Sequence, residues 1–388
     1  MPDIKRLLKI HKNQTLFLFG ARGVGKSTYV RDELNAESTL WIDLLDPVEE
    51  DRFARNPNEL KALVLALPAS VTHVVIDEIQ KLPKLLDVVH SLIESTNKYF
   101  ILTGSSARKL KYGDANLLAG RAFVYPLFPF SVLELKGKFD FSIAMRFGML
   151  PKLCSYNTDE ERSLFLQAYA LTYLKEEIRG EQLTKNLDAF RRFLEVAAQC
   201  NGKIINYSNL SRDVGVEDKT IKEYFSILED TLLGFMLEPF QHSFRKRLSQ
   251  KPKFYFFDVG VTRALLRQLS VQLLPRTSMY GDIFEHFIIL ECIKLASYFH
   301  PEYRFSYLKT KDDAEVDLVV ERPGLPLLFI EIKSAEEIQE VNLKILFDIK
   351  KEIKDCEVVC FSNEKREKQL SDNVKIMPWQ TGVERYFT

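Results

Sequence analysis

The sequence predicts an α/β protein of several domains: a doubly wound parallel sheet around a phosphate-binding loop, a helical middle, and a second α/β unit. Three observations carry this. Apolar runs at Thr15–Phe19, Thr39–Asp43, Thr72–Ile76 and Tyr99–Thr103 alternate with helical patterns. Their near-continuous apolar centres suit strands buried on both faces of a parallel sheet. Gly20-Ala-Arg-Gly-Val-Gly-Lys-Ser27 fits GxxxxGK(S/T) and stands between the first run and a helix. Finally, 388 residues exceed what one hydrophobic core serves.

In the first unit, residues 1–131, the helical patterns at Asn58–Leu67 and Lys84–Glu94 separate the apolar runs. Residues 132–186 read as a helical lid or connector, with Asp159–Glu177 its clearest stretch. Residues 187–262 read as a winged helix-turn-helix. There Leu187–Cys200 is an amphipathic helix, Tyr207–Arg212 starts a second, and Val214-Gly-Val216 supplies the turn. Asp218 is placed to cap a third helix reaching Leu233, and strands at Gly234–Glu238 and Phe254–Asp258 form the wing. Residues 263–388 hold a helix at Phe284–Ala296, a hairpin around Gly324, and strands at Glu357–Phe361 and Val374–Met377.

Composition narrows the function. Lys plus Arg and Asp plus Glu are 54 each, so no whole-molecule field draws in nucleic acid and any such binding must rest on local patches. Cys154, Cys200, Cys292, Cys356 and Cys360 form no CxxC pair, which suits reduced thiols in the cytoplasm and excludes a zinc site. The first residues are too interrupted by charge for a signal peptide, and no apolar run approaches the ~20 residues of a membrane span. The six histidines show no metal-ligand spacing.

The loop is the strongest chemical signal. Its glycines let backbone N–H groups approach phosphate oxygens with no Cβ in the way, and the following helix adds its positive end. Gly20, Ala21, Arg22, Gly23, Val24 and Gly25, with Lys26, Ser27 and Thr28, are the candidate ATP-binding residues. Lys26 is suited to the β and γ phosphates and Ser27 to Mg2+. Val74-Val-Ile-Asp-Glu78 ends an apolar run in two carboxylates. Asp77 is the candidate magnesium holder, and Glu78 the group that orients and deprotonates the attacking water. Thr103 or Ser105 is placed to sense the γ-phosphate, although an ordinary strand-to-loop turn reads equally well. Arg121 and Arg108 are candidates for a transition-state arginine, which acts between copies only in a homo-oligomer.

These motifs, with Ala119-Gly-Arg121, Pro126-Leu-Phe-Pro-Phe-Ser131, Gly281-Asp-Ile-Phe-Glu285, Ala314-Glu-Val-Asp317 and Ile330-Glu-Ile-Lys-Ser334, run in order over nearly the whole chain. The chain resembles the prokaryotic AAA-family P-loop ATPases with a C-terminal winged helix and a PD-(D/E)XK nuclease-like domain. The resemblance implies an AAA-like core followed by those two folds.

Two further features bear on DNA. In the third helix of the middle unit, Lys219, Thr220, Lys222 and Glu223 fall off the apolar set Ile221, Tyr224, Phe225 and Leu228. The wing from Phe240 to Phe257 holds Arg245, Lys246, Arg247, Lys251 and Lys253 and no acid, a patch fit for salt-sensitive phosphate contacts. Winged helices also mediate protein contacts.

A hairpin symmetric about Gly324 sets Asp317 across from Glu331 and Glu315 across from Lys333. Facing carboxylates repel unless something neutralises them, and a divalent metal would. A half-exposed hairpin of alternating charged and apolar residues reads equally as plain structure. The resemblance to PD-(D/E)XK nucleases implies that Asp317, Glu331 and Glu285 hold Mg2+ and that Lys333 activates water or stabilises the phosphate.

The sequence thus predicts a Mg2+-dependent ATPase coupled to DNA binding and DNA cleavage. The alternative is a nucleotide-dependent switch or scaffold whose C-terminal half binds protein. A small-molecule kinase shares the loop, but the long chain beyond Ser131 disfavours it.

Overall fold

A computed structural model describes residues 4–106, 118–173, 186–240, 251–310 and 314–388. The first unit is built on five parallel strands: β1 (Leu16–Phe19), β2 (Thr39–Asp43), β3 (His73–Asp77), β4 (Tyr99–Gly104) and β5 (Phe123–Pro126). Their order is β2-β3-β4-β1-β5, so β1 lies between β4 and β5 and the loop after it opens beside the carboxyl ends of β4 and β3. Four helices follow the strands: α1 (Lys26–Glu33), α2 (Pro47–Arg55), α3 (Asn58–Leu65) and α4 (Leu85–Ser95). The sequence reading passed over α2, although Asp46 caps it by accepting the Val48 N–H and Pro47 stands in its first turn.

Both faces of this sheet are buried, as continuous apolar strands demand. Phe17, Phe19, Ile76, Phe100 and Leu102 pack with Phe53, Leu60, Val64, Leu86 and Val89 of α2–α4. Leu16, Leu18, Val75 and Ile101 lie in a second core that continues into the middle unit.

The described residues after β5, as far as Tyr173, are mostly helical. They include α5 (Val132–Leu135), α6 (Phe141–Phe147) and α7 (Asp159–Ala168), and α7 runs into a π-helical turn at Tyr169–Tyr173. The far end of the expected Asp159–Glu177 helix lies outside the described residues.

The middle unit has the three expected helices, α8 (Leu187–Gln199), α9 (Tyr207–Val214) and α10 (Asp218–Asp230). Gly215 between the last two takes the left-handed conformation, φ 77°. Asp218 is not the cap: the third helix begins one residue after Glu217, no side chain caps it, and Asp218 instead accepts a hydrogen bond from Ser208 Oγ at 2.7 Å.

Strands β6 (Gly234–Pro239) and β7 (Lys253–Phe256) follow, and α11 (Val259–Leu265) leads away from them. These strands do not project as a free wing. They complete an eight-stranded sheet with β8 (Arg304–Lys309), β9 (Glu315–Glu321), β10 (Leu327–Lys333), β11 (Cys356–Ser362), β12 (Lys368–Gln369) and β13 (Lys375–Pro378). The join is parallel pairing of Glu238 with Ser306 and Pro239 with Tyr307. An isolated two-stranded hairpin is marginal in water, whereas pairing with a buried sheet satisfies its backbone edge.

The long helix α12 (Ser278–Phe299) covers one face of that sheet through Phe284, Phe287 and Ile288, packed with Leu318, Leu328 and Ile330. On the other face Val319 and Phe329 pack with Leu343, Leu346 and Ile349 around α13 (Lys344–Glu352). The terminal helix α14 (Trp379–Phe387) closes the first face. The carboxylate hairpin is therefore buried on both sides, not half exposed as its alternation suggested. Among the described residues, no helix is long and apolar enough to cross a membrane.

Candidate functional site

The phosphate-binding loop is set by steric exclusion. A Cβ on Gly20 would stand 2.3 Å from the Leu127 carbonyl oxygen, and Gly23 and Gly25 take φ of 81° and 92°. Only glycine meets both demands without strain. Gly20 N–H donates to Gly104 O at 3.2 Å, tying the loop to the end of β4, and Tyr29 N–H donates to Gly25 O at 2.9 Å in the first turn of α1.

Lys26 is buried, 5% exposed, and its ammonium donates to the loop carbonyls of Gly20 at 2.8 Å and Ala21 at 3.4 Å. Ser27 Oγ donates to Asp77 Oδ2 at 2.6 Å, and Thr103 donates to the other oxygen of the same carboxylate. Thr28 is exposed on the first turn, and Tyr169 of the connector donates its hydroxyl to Arg22 O at 2.8 Å. A second anchor is Arg6, whose guanidinium donates to Val24 O and Phe128 O and pairs with Glu134.

Glu78 stands in the left-handed region, φ 59° and ψ 46°, uncommon for a residue with a side chain. Such strain persists where the surroundings over-determine it. Here they do: its N–H donates to Thr103 Oγ1 at 3.3 Å, and its carboxylate accepts from Gln80 and from Ser105 Oγ at 3.1 Å. Lys26 Nζ lies 3.9 Å from the same carboxylate. Burial alone would raise its pKa, but the Lys26 ammonium and the Gln80 and Ser105 hydrogen bonds hold it below the usual carboxylate range.

The structure thus brings Lys26, Ser27, Asp77, Glu78, Thr103 and Ser105 together. It does not bring Arg121 to them. Arg121 precedes β5, which runs parallel to β1, so it lies at the opposite end of the sheet from the loop. There it pairs with Glu94 at 2.9 Å. Arg108 lies outside the described residues. Gln80, buried between Glu78 and Ser105, escaped the sequence reading although it stands two residues after the DE pair.

At the second site the register is the symmetric one: Val320 pairs with Leu328, Val319 with Phe329 and Leu318 with Ile330. The paired register stops there: β9 shifts against β8 between Ser306 and Leu308, and Val316 turns to the face of Val319 rather than that of Leu318, so the expected facing of Asp317 with Glu331 and of Glu315 with Lys333 is not a continuation of the ladder. Asp317 is 8% exposed and accepts the Ile332 N–H at 2.7 Å; Glu331 is 4% exposed and pairs with Lys333. Burial and the Glu331 carboxylate push Asp317 up to about 7. Burial and Asp317 push Glu285 up to about 7.

Two residues of β7 reach the site unforeseen. Tyr255 donates its hydroxyl to Glu285 Oε1 at 2.7 Å, and Lys253 pairs with Glu315 and lies 3.7 Å from Glu285. Lys253 is therefore not one of the wing cations open to DNA, because charge compensation has drawn it inside. Lys251 remains exposed, and Arg245, Lys246 and Arg247 lie outside the described residues. In α10, Lys219, Lys222 and Glu223 are exposed and Ile221, Tyr224, Phe225 and Leu228 are buried.

Among the described residues, no group of three or more His, Cys, Asp or Glu is arranged as a metal cage. The donor set is nonetheless of the hard-oxygen kind that divalent cations take, and Glu331 Oε2 is buried with no hydrogen-bond partner.

Comparison with known proteins divides the chain in three. Residues 12–136 match the family model of an AAA domain. Residues 138–272 and 280–381 match two domains of unknown function, DUF8612 and DUF4143. An uncharacterized protein of Mycobacterium tuberculosis is 27% identical over 326 residues, 84% of this chain and 71% of its own length. An uncharacterized protein of Methanocaldococcus jannaschii is 22% identical, with 97% of this chain and 86% of that protein covered. Among solved structures, the Aeropyrum pernix Orc1 protein in complex with DNA matches at 13% identity and a TM-score of 0.24, over 68% of this chain and 89% of that one. The AAA match falls on the unit that carries the five-stranded parallel sheet and the glycine loop after β1, so residues 12–136 resemble a P-loop domain of AAA type.

Proposed function

We propose that the chain binds ATP with Mg2+ at the loop of residues 20–28 and hydrolyses it, with Glu78 as the water-activating base. The observation that carries this is the convergence of Ser27 on Asp77 at 2.6 Å and of Lys26 on Glu78 at 3.9 Å beside a loop only glycine can form. Ser27 and Asp77 would hold Mg2+, which would supply charge neutralisation at the phosphates. Lys26 exchanges the Gly20 and Ala21 carbonyls for phosphate oxygens and follows charge as it moves to the leaving group. Thr103 holds Asp77 in place. Glu78, ionised and freed from Gln80 and Ser105, orients and deprotonates the attacking water. Calorimetric titration with ATP and MgCl2, paired with phosphate release, tests the reading: saturable binding and turnover are expected, and a flat titration overturns it.

A second reading concerns the C-terminal half. Asp317, Glu331 and Glu285 gather beside Lys333, which supports a divalent-cation site of nuclease type that acts on DNA when the ATPase cycle permits. The exposed Lys219 and Lys222 are the cations of the middle unit suited to phosphate contacts. DNA-stimulated ATP turnover is the expected result, together with Mg2+-dependent plasmid cleavage that is lost in Asp317→Ala. Turnover indifferent to DNA at low salt, with intact plasmid, favours the scaffold alternative.

A further inference from the structure

Lys253 is the part of the carboxylate site that the hairpin pattern does not account for. It belongs to β7, a strand that follows the helices of the middle unit, yet its side chain enters the C-terminal site and is 2% exposed. Its ammonium is paired with Glu315 and lies 3.7 Å from Glu285 Oε1, and it stands 5.3 Å from the centre of the Tyr307 ring. Two residues on, and therefore on the same side of the strand, Tyr255 donates to that same Glu285 oxygen.

A buried ammonium is tolerated only where negative charge compensates its lost hydration. Here one of the compensating carboxylates, Glu285, is also one that a divalent cation would use with Asp317 and Glu331. The lysines do not exhaust them: Glu331 Oε2 stays buried without a hydrogen-bond partner. Acceptor capacity therefore remains for a cation of higher charge. The strand that carries Lys253 also ties the two halves of the molecule together. Phe254 and Phe256 share a core with α8–α10 and with Tyr169, Ala21 and Val24 beside the phosphate-binding loop.

We propose that Lys253 is the resident counter-ion of the carboxylate site and competes with a divalent cation for Glu285, so that cation entry requires β7 to withdraw its lysine. This rests on the reading of the hairpin as a cation site. It adds that a strand outside the hairpin motif controls occupancy. No change in protonation is needed: a like charge beside the site weakens divalent binding, and removing it strengthens binding.

Calorimetric titration of the full chain with Mn2+, without nucleotide, tests this in wild type, Lys253→Met and Lys253→Arg. Methionine keeps the length of the stem without its charge, and arginine keeps the charge. The expected result is at least roughly tenfold tighter Mn2+ binding in Lys253→Met than in the other two, about 1.4 kcal/mol. Mn2+ should also restore the melting temperature that Lys253→Met loses, and Asp317→Asn should abolish the binding, locating it at this site. Should the single variant fail to fold, Lys253→Met with Glu315→Gln removes the ion pair as a unit and carries the same expectation. Equal or weaker Mn2+ binding in the uncharged variant overturns the competition while leaving the cation site standing. Absence of binding in every variant overturns both.

Discussion

At the phosphate-binding loop the side chains come from the segment after β1 and the carboxyl ends of β3 and β4, three neighbours in one parallel sheet. At the carboxylate hairpin they come from β7, α12, β9 and β10, on both sides of the join between the middle and C-terminal units. The first site gathers an ammonium and hydroxyls beside a glycine-rich loop of backbone donors. The second crowds four carboxylates, Glu285, Glu315, Asp317 and Glu331, against two ammoniums, Lys253 and Lys333. The difference teaches where each depends on the rest of the molecule. The loop needs a single sheet, whereas the hairpin's charge balance needs a strand supplied from outside its own motif.

The sharpest break between the two is chemical. Glu78→Gln keeps size and hydrogen-bonding capacity but cannot take a proton, so ATP binding is expected to persist while turnover falls roughly 10²–10³-fold, about 3–4 kcal/mol. Mn2+ binding at the carboxylate site should not move. Steady-state phosphate release beside nucleotide calorimetry checks this, and equal turnover in variant and wild type removes Glu78 from the mechanism.

Next in size is Lys26→Ala. Its ammonium is held by loop carbonyls that phosphate oxygens would replace. Loss of a charge-assisted contact of about 2–3 kcal/mol should weaken ATP binding about a hundredfold in the same titration.

The two sites also differ in how far the sequence disclosed them. The loop was legible because its chemistry is contiguous: GxxxxGK(S/T) lies within eight positions, and the strand before it and helix after it are local patterns. The hairpin register was legible only near the turn, from Val320–Leu328 to Leu318–Ile330; beyond it β9 shifts register, Val316 joins the opposite face and Glu315 pairs with Lys253, which symmetry about Gly324 does not disclose. Lys253 was misread as a free wing cation because nothing local marks a strand that joins a distant sheet. Lys253 lies on β7, which β6 joins to β8, and its side chain reaches Glu315 of β9 and Glu285 of α12. Gln80 was passed over because an amide beside two carboxylates looks like any polar turn residue until β4 brings Ser105 against it. Arg121 was placed too near the nucleotide because its nearness in sequence to the last strand says nothing of which end of the sheet it occupies.

A smaller effect of opposite sign separates the two kinds of carboxylate. Asp317 is buried against Glu331, and this repulsion is a stability cost that a functional site carries. Asn keeps an oxygen for the Ile332 N–H while removing the charge. In metal-free buffer Asp317→Asn should therefore raise stability by about 1 kcal/mol, seen as a rise in urea midpoint with unchanged slope. A fall of that size would mean that Lys253 and Lys333 already over-compensate the pair, and that the site needs no further cation.

The smallest expected effect tests whether the loop depends on anything outside its own sheet. Arg121 pairs with Glu94, both side chains well exposed, at the edge of the sheet away from the phosphates. An exposed ion pair of this kind is worth at most about 0.5–1 kcal/mol, and salt screens it. Arg121→Ala should therefore change stability by less than about 0.5 kcal/mol and leave ATP affinity of the isolated chain within a factor of about two. If turnover nonetheless drops steeply, and drops only at protein concentrations where light scattering detects assemblies, Arg121 acts on the nucleotide of a second copy. The loop would then share the dependence on outside residues seen at the hairpin. A variant indistinguishable from wild type at every concentration would leave the phosphate site complete within one chain.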